Sequence, residues 1–118
     1  MIKLLNQSPF LEFQEDSTMS LNLKKMIEYA KGGVLSKVAK KTDKFDITLF
    51  CMAAGTSIGD HTSTKEGLVY VIEGKGTFSL EKEDLEMFPG VIIHMKKNAL
   101  HSLKAQKNTS FALFLFSN

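Results

Sequence analysis

The sequence predicts an all-β domain, an antiparallel sandwich or barrel, and three observations support this prediction. Short runs rich in β-branched, aromatic and other apolar residues recur through the chain from residue 34 onward. Short segments that contain residues favouring turns, mainly Gly, Asp and Asn, separate these runs at close spacing. The chain has 118 residues, 43% of them hydrophobic, which is enough for one core but not for two.

Residues 1–32 are predicted to form an N-terminal arm and a short helix that pack on the barrel or on a partner subunit. Residues 1–19 have no sustained period, and apolar residues then recur at helical spacing, at Leu23, Met26, Ile27 and Ala30. This pattern predicts a helix over about residues 21–30, with Ser20 as its N-cap and two glycines as its end.

Residues 33–118 are predicted to form the barrel itself. Strands are expected over residues 34–40, 45–52, 68–72, 75–80, 85–88, 91–95, 100–105 and 111–116. The runs 68–72 and 111–116 are apolar at every position, so both faces of these strands need to be covered. Either the N-terminal arm or a second subunit provides that cover, and we expect a homodimer.

Composition argues against several classes of partner. The net charge is only +2, and all fifteen basic residues are lysine. Arginine is the usual residue for bidentate contacts to phosphates and base edges, so no nucleic-acid partner is expected. The chain has no run of about 18 apolar residues and no signal peptide, which predicts a cytoplasmic protein without a membrane partner. Its single cysteine suits a reducing compartment.

The three histidines occupy positions of different kinds. His61 lies in a polar segment just before a predicted strand, and His101 lies at the start of another. His94 lies between Ile93 and Met95 within an apolar strand, and side chains alternate between the two faces of a strand. If Ile93 and Met95 point inward, His94 points outward, so we expect a surface or interface histidine there. His61 and His101 are the candidates for a metal or ligand site.

Two segments, each with one of these two histidines, have residues at characteristic positions relative to a leading glycine. The first segment contains Gly55, His61, Ser63, Gly67 and Gly74, and the second contains Gly90, Lys96, Asn98, His101 and Ala105. These spacings resemble the two motifs of the cupin superfamily, G-x5-H-x-H-x3-E-x6-G and G-x5-P-x-G-x2-H-x3-N. The fifteen residues between the motifs resemble the loop of small single-domain cupins. The resemblance covers about half of the chain and implies a small jelly-roll-like antiparallel β-barrel.

The resemblance also implies a divalent metal, held by two histidines and a glutamate of the first motif and the histidine of the second. Here Ser63 and Gly67 stand in place of the second histidine and the glutamate. His61 and His101 remain as metal ligands, and Glu66 becomes a third ligand if it reaches inward. Such a 2-His-1-carboxylate set would hold Zn, Fe, Ni or Mn.

Two further residues were weighed as contributors to a metal site. Asp60 would orient a histidine by a hydrogen bond to its ring, although neighbours in an extended chain point apart. Cys51 would be a soft ligand if it faced the cavity, but a buried inert thiol is favoured.

Three functions follow as alternatives. In the first, the barrel binds a small ligand, with or without a metal, in a pocket lined by Ser63, Val69, Val71, Ile93, Met95 and Leu103, with Phe111 and Leu113 beside them. In the second, the His61, Glu66 and His101 triad serves a dioxygenase or isomerase, with Tyr70 or Ser63 as a hydrogen-bonding group. In the third, the chain is a structural or interaction protein with a vestigial cavity. An open pocket at His61 and His101 would argue against the third.

Overall fold

The computed structural model describes residues 2–4 and 20–117, and within them the chain forms two β-sheets. The ten strands are β1 (Ile2–Leu4), β2 (Val34–Lys41), β3 (Phe45–Met52), β4 (Ser57–His61), β5 (Glu66–Glu73), β6 (Gly76–Leu80), β7 (Glu83–Met87), β8 (Ile92–Met95), β9 (His101–Ala105) and β10 (Thr109–Phe116). The first sheet has the order β1-β2-β3-β10-β5-β8, and the second has the order β4-β9-β6-β7. The short β1 pairs with β2 in parallel. Every other pairing is antiparallel. The predicted all-β, jelly-roll-like fold is confirmed.

One hydrophobic core lies between the two sheets. Strand β5 alternates as the sequence predicts, with Val69 and Val71 fully buried and Tyr70 exposed on the opposite face. The same core includes Met52 of the first sheet and Phe78 of the second. Burial of these large apolar side chains from both sheets is what holds the sheets together.

A second apolar cluster lies on the outer face of the first sheet. Leu35, Leu49 and Cys51 are buried there, beneath partly buried residues of the segment that precedes β2. The Lys37 ammonium donates to the Met26 carbonyl at 2.8 Å and ties this segment to β2.

The predicted helix is wrong in type and length. The segment contains a single 3-10 turn at Leu23–Met26, and its N-cap is Asn22 rather than Ser20. The Asn22 side chain accepts a hydrogen bond from the Lys24 amide at 3.1 Å and caps the start of the turn, and the turn ends at Ile27, whose backbone is extended with a ψ of 130°. The apolar spacing still had a packing cause, because Met26, Ile27 and Ala30 all contact the outer cluster.

Two strands were not predicted. In β4 only Ile58 is buried, so the strand lacks the apolar alternation by which strands are recognised. The other is β1, whose residues fall in the stretch that showed no period. The remaining eight strands match the predicted ones to within about two residues at each end.

The turn after β5 brings two backbone segments unusually close together. Gly74 has a φ of 106°, in the left-handed region that side chains other than hydrogen disfavour. A Cβ atom at this position would lie 2.5 Å from the Thr109 Cα and would also overlap the Asn108 carbonyl. Only glycine therefore allows β5 to leave the sheet beside the start of β10.

Several predictions stay predictions at this level. No helix in the described ranges is long and apolar enough to cross a membrane. The cytoplasmic location, the homodimer and the division of the chain at residue 33 have no test in this structure. The expected packing of residues 1–19 lies, apart from β1, outside the described residues.

Candidate functional site

A cavity of about 340 Å³ lies between the two sheets. Its wall takes five residues from each sheet: Phe50, Val69, Met95, Phe111 and Leu113 from the first, and Ile58, His61, Phe78, His101 and Leu103 from the second. Eight of these ten residues are apolar, and the two histidines supply the polar groups. A concave, mainly apolar space with a few polar groups is typical of small-molecule sites, and this volume lies within their usual range.

The pairing of β4 with β9 brings the two histidines together. His61 and His101 are direct partners across these strands, and the register shifts between Ile58 and His61. The ring centroids lie 4.0 Å apart, with the planes inclined at 60°. The two histidines of the motifs are thus neighbours in the structure, and their role as metal or ligand residues stays a prediction.

The two histidines differ in burial. His61 is exposed, whereas His101 is only 6% exposed and stacks parallel to Phe78 with 5.7 Å between ring centroids. His61 thus lies at the mouth of the cavity and His101 lies within its wall. Burial lowers the pKa of His101 below its ordinary value. The hydrogen bond from the ring to Ala99 acts in the opposite direction, and the neighbouring His61 lowers the pKa further.

Backbone carbonyls orient both rings. The Nδ1 of His61 lies 2.8 Å from the Gly59 oxygen, and the Nδ1 of His101 lies 3.0 Å from the Ala99 oxygen. Each carbonyl belongs to the residue two positions earlier, so the local strand geometry sets the ring orientation. Asp60, considered for this role, is exposed and makes no hydrogen bond to either ring.

The loop that follows β4 is joined to the loop that leads into β9. The Asn98 amide donates to the Ser63 carbonyl at 2.7 Å. Asn98 has a φ of 63°, a left-handed conformation that asparagine tolerates better than most residues. It occupies the position at which the second motif has glycine, so the motif's backbone geometry is preserved although the residue differs.

Glu66, the predicted third metal ligand, lies on the opposite face of β5 from the cavity. Its carboxylate is hydrogen-bonded to the Nε2 of His94, and both side chains are half exposed. Strand parity is the cause, because Gly67 and Val69 point inward and therefore Glu66 points outward. The predicted triad of His61, Glu66 and His101 is not assembled, and this part of the prediction is corrected. The outward orientation predicted for His94 is confirmed.

The inner position beside Glu66 is occupied by Gly67 and is closely surrounded. A Cβ atom on Gly67 would lie 3.0 Å from Leu115 Cδ2, 3.1 Å from the Phe114 carbonyl and 3.3 Å from Met95 Cε. Apolar side chains thus fill the space in which the family motif has its glutamate.

The donor set does not suit a transition metal. Two imidazoles remain, whereas catalytic zinc sites use three protein ligands and the facial iron site adds a carboxylate. No cluster of three His, Cys, Asp or Glu residues able to hold a metal occurs in residues 20–117. Ser63 adds no ligand, because its hydroxyl accepts a hydrogen bond from the Lys65 amide in the loop.

The predicted pocket is partly that of the structure. Val69, Met95 and Leu103 line the cavity, as do Phe111 and Leu113. Val71 and Ile93 point inward but belong to the packed core beyond the cavity, and Ser63 lies in a loop away from the wall. The sequence reasoning missed three lining residues, Phe50, Ile58 and Phe78. Each stands at an inward position of its strand, so alternation counted from Met52 would have found Phe50.

Two other residues considered for the site lie elsewhere. Cys51 is fully buried in the outer cluster, where burial raises the pKa of its thiol, so it behaves as the inert thiol that the sequence favoured. Tyr70 is exposed on the outer face of β5 and does not reach the cavity.

Comparison with known proteins identifies the family. The family model described as a cupin domain matches residues 48–117, more than half of the chain. No curated protein matches the sequence.

Solved structures share the fold at low sequence identity. A conserved protein of unknown function from Streptococcus pyogenes is 21% identical with a TM-score of 0.76, over 87% of this chain and 90% of that one. A cupin superfamily protein from Desulfitobacterium hafniense is 19% identical with a TM-score of 0.77, over 89% and 94%. A variant of salicylate 1,2-dioxygenase from Pseudoaminobacter salicylatoxidans is 15% identical with a TM-score of 0.68, over 80% of this chain and 30% of that one. At these identities the likeness is one of fold.

Proposed function

The chain belongs to the cupin family, and from that premise we propose that it is a binding barrel, which holds a small, mainly apolar organic molecule without a metal ion. The observation that carries this proposal is the cavity of about 340 Å³, with eight apolar wall residues and two histidines. Transition metals are common in this family, but this chain retains only two of the usual ligands. The cavity is present although two of the four metal ligands are absent, and this combination supports a role in binding rather than in metal chemistry.

The alternatives have less support. An enzyme built on the 2-His-1-carboxylate set would need Glu66, whose carboxylate is bonded to His94 on the far face of the sheet. A purely structural protein would gain stability by filling its interior, because an empty apolar cavity loses dispersion contacts along its wall. Fold alone assigns no reaction, so the proposal depends on the cavity and its residues.

The first experiment measures binding of an uncharged fluorescent probe, N-phenyl-1-naphthylamine, to the purified protein. Leu113→Trp places a larger side chain in the wall and should weaken probe binding at least about tenfold. Leu68→Trp is the matched control, since Leu68 lies on the outer face of the neighbouring strand and should leave binding unchanged. If the two variants bind the probe equally well, the cavity is not the binding site.

The second experiment tests independence from metal. Protein purified without an affinity tag is analysed by mass spectrometry for bound metal, and probe binding is repeated after chelation. We expect less than stoichiometric metal and unchanged binding. A stoichiometric metal that is lost in His61→Ala and His101→Ala would contradict the proposal.

A further inference from the structure

The hydrogen bonds of the two cavity histidines fix which nitrogen carries the proton in the neutral ring. Each Nδ1 faces a backbone carbonyl oxygen, Gly59 for His61 and Ala99 for His101. A carbonyl oxygen only accepts hydrogen bonds, so each Nδ1 must donate. In a neutral imidazole the other nitrogen then has a lone pair and no proton. Both Nε2 atoms are therefore hydrogen-bond acceptors.

These two acceptors are not used by the part of the chain that the structure describes. Neither Nε2 has a hydrogen-bond partner among the described residues. Among the described residues, the Ser110 hydroxyl is the only side-chain polar atom that is both shielded from solvent and without a hydrogen-bond partner. The Nε2 of His101 also has no partner, so it cannot be shielded from solvent as well. The Nε2 of His101 is thus accessible although its residue is only 6% exposed, and the open space beside the ring is the cavity.

The surroundings disfavour a charged ligand. None of the ten lining residues is a lysine, so the wall offers no fixed positive charge to a carboxylate or a phosphate. An anion that enters an apolar cavity without a partner loses its hydration at high cost.

The apolar part of the wall favours flat rings. Phe50 and Phe111 stack with 5.1 Å between centroids and 6° between planes, and both line the cavity. Phe78 lies parallel to His101 across another part of the wall. Aromatic surfaces of this kind pack well against planar aromatic ligands.

We propose that the ligand of this cavity is an uncharged aromatic molecule whose hydroxyl group donates a hydrogen bond to the Nε2 of His61 or His101. This inference rests on the proposed binding function and names its ligand class, the phenols. It also states a selectivity: the corresponding carboxylate is rejected, and the corresponding hydrocarbon binds less tightly because it leaves both acceptors unpaired.

Three probes of similar shape test the inference: 2-naphthol, 2-methylnaphthalene and 2-naphthoate. Affinities are measured at neutral pH by displacement of N-phenyl-1-naphthylamine. We expect 2-naphthol to bind about tenfold more tightly than 2-methylnaphthalene, the factor that one hydrogen bond to an otherwise unpaired group provides. The carboxylate should bind more weakly than either.

Variants assign the preference to the histidines. His61→Phe and His101→Phe keep a ring in the wall and remove the acceptor, so at least one should bind 2-naphthol and 2-methylnaphthalene equally well. His94→Phe is the matched control on the outer face and should keep the wild-type preference. Because His61 is exposed, its variant is expected to fold even if the one at His101 does not.

The outcomes separate this inference from the proposed function. If 2-naphthol and 2-methylnaphthalene bind equally to the wild type, or if the carboxylate binds best, the phenol assignment is overturned while the binding barrel stands. A hydroxyl preference that persists in both histidine variants also overturns the assignment. If the probe binds in the cavity but none of the three displaces it, the phenol assignment is overturned; if the probe itself does not bind there, both proposals fail.

Discussion

The side chain of Met95 borders the space on the inner face of β5 that a side chain at Gly67 would enter, with its Cε 3.3 Å from the position of a Cβ atom. Gly67→Glu should therefore destabilise the protein, and the loss should be smaller when Met95→Ala has cleared that space. We expect a coupling of about 1 kcal/mol in a double-mutant cycle. Urea unfolding of the two single variants and the double variant measures it.

Gly67→Gln serves as the neutral control for this cycle. A glutamine has almost the same size as a glutamate but no charge, so a coupling that arises from space should appear with both. If the effects of Gly67→Glu and Met95→Ala on the free energy of unfolding are additive, the Met95 side chain is not what restricts the space that a side chain at position 67 would enter.

Two glycines with positive φ are expected to respond very differently to alanine. Gly74 has a φ of 106° and would carry a Cβ against Thr109, whereas Gly90 has a φ of 96° and open space around it. Gly90→Ala should lower the free energy of unfolding by about 1–2 kcal/mol, the cost of the left-handed conformation alone. Gly74→Ala should cost more than about 3 kcal/mol, because a backbone segment must also move. Equal losses in urea unfolding would contradict this reading of the turn.

Removal of the Glu66 carboxylate should leave the cavity unaffected. Because Glu66 pairs with His94 on the outer face, Glu66→Gln should change probe affinity less than about twofold, within the scatter of such measurements. Its effect on the free energy of unfolding should be below about 1 kcal/mol, as for other solvent-exposed pairs of polar side chains. A large loss of probe affinity would instead place Glu66 in the site.

Protonation of His101 should make stability depend on pH. The pKa of this buried ring is lowered from 6.5, so the unfolded chain takes up a proton at a higher pH than the folded protein does. Above pH 6.5 the ring is neutral in both states, and as the pH falls below that value the free energy of unfolding should decrease. Urea unfolding at a series of pH values measures this decrease. The curve for His101→Asn, which keeps an N–H donor for Ala99, should be flatter, and parallel curves would exclude His101 as the cause.

Local patterns predicted much of this fold because most strands alternate or are continuously apolar. The predicted strand over residues 45–52 has the bounds of β3, and the motif spacing singled out His61 and His101, whose ring centroids lie 4.0 Å apart. Strand β4 escaped prediction because an edge strand that buries only Ile58 has almost no pattern to detect.

The direction of Glu66 shows what a sequence pattern leaves undecided. Its position next to the motif's ligand position made it a reasonable third ligand, but one residue along a strand reverses the face. The partner that holds it, His94, is 28 positions away on β8 and could be identified only from the pairing of β5 with β8. Long-range pairing, rather than local propensity, decided the composition of the site.

The cavity wall divides evenly between the two sheets, and this division has a mechanical consequence. A molecule in the cavity touches β3, β5, β8 and β10 on one side and β4, β6 and β9 on the other. It would therefore act as a brace between the two layers, in addition to the packed core that already holds them together beyond the cavity. Occupancy should slow the separation of the layers, so amide hydrogen exchange in the edge strand β4 should decrease when the cavity is filled.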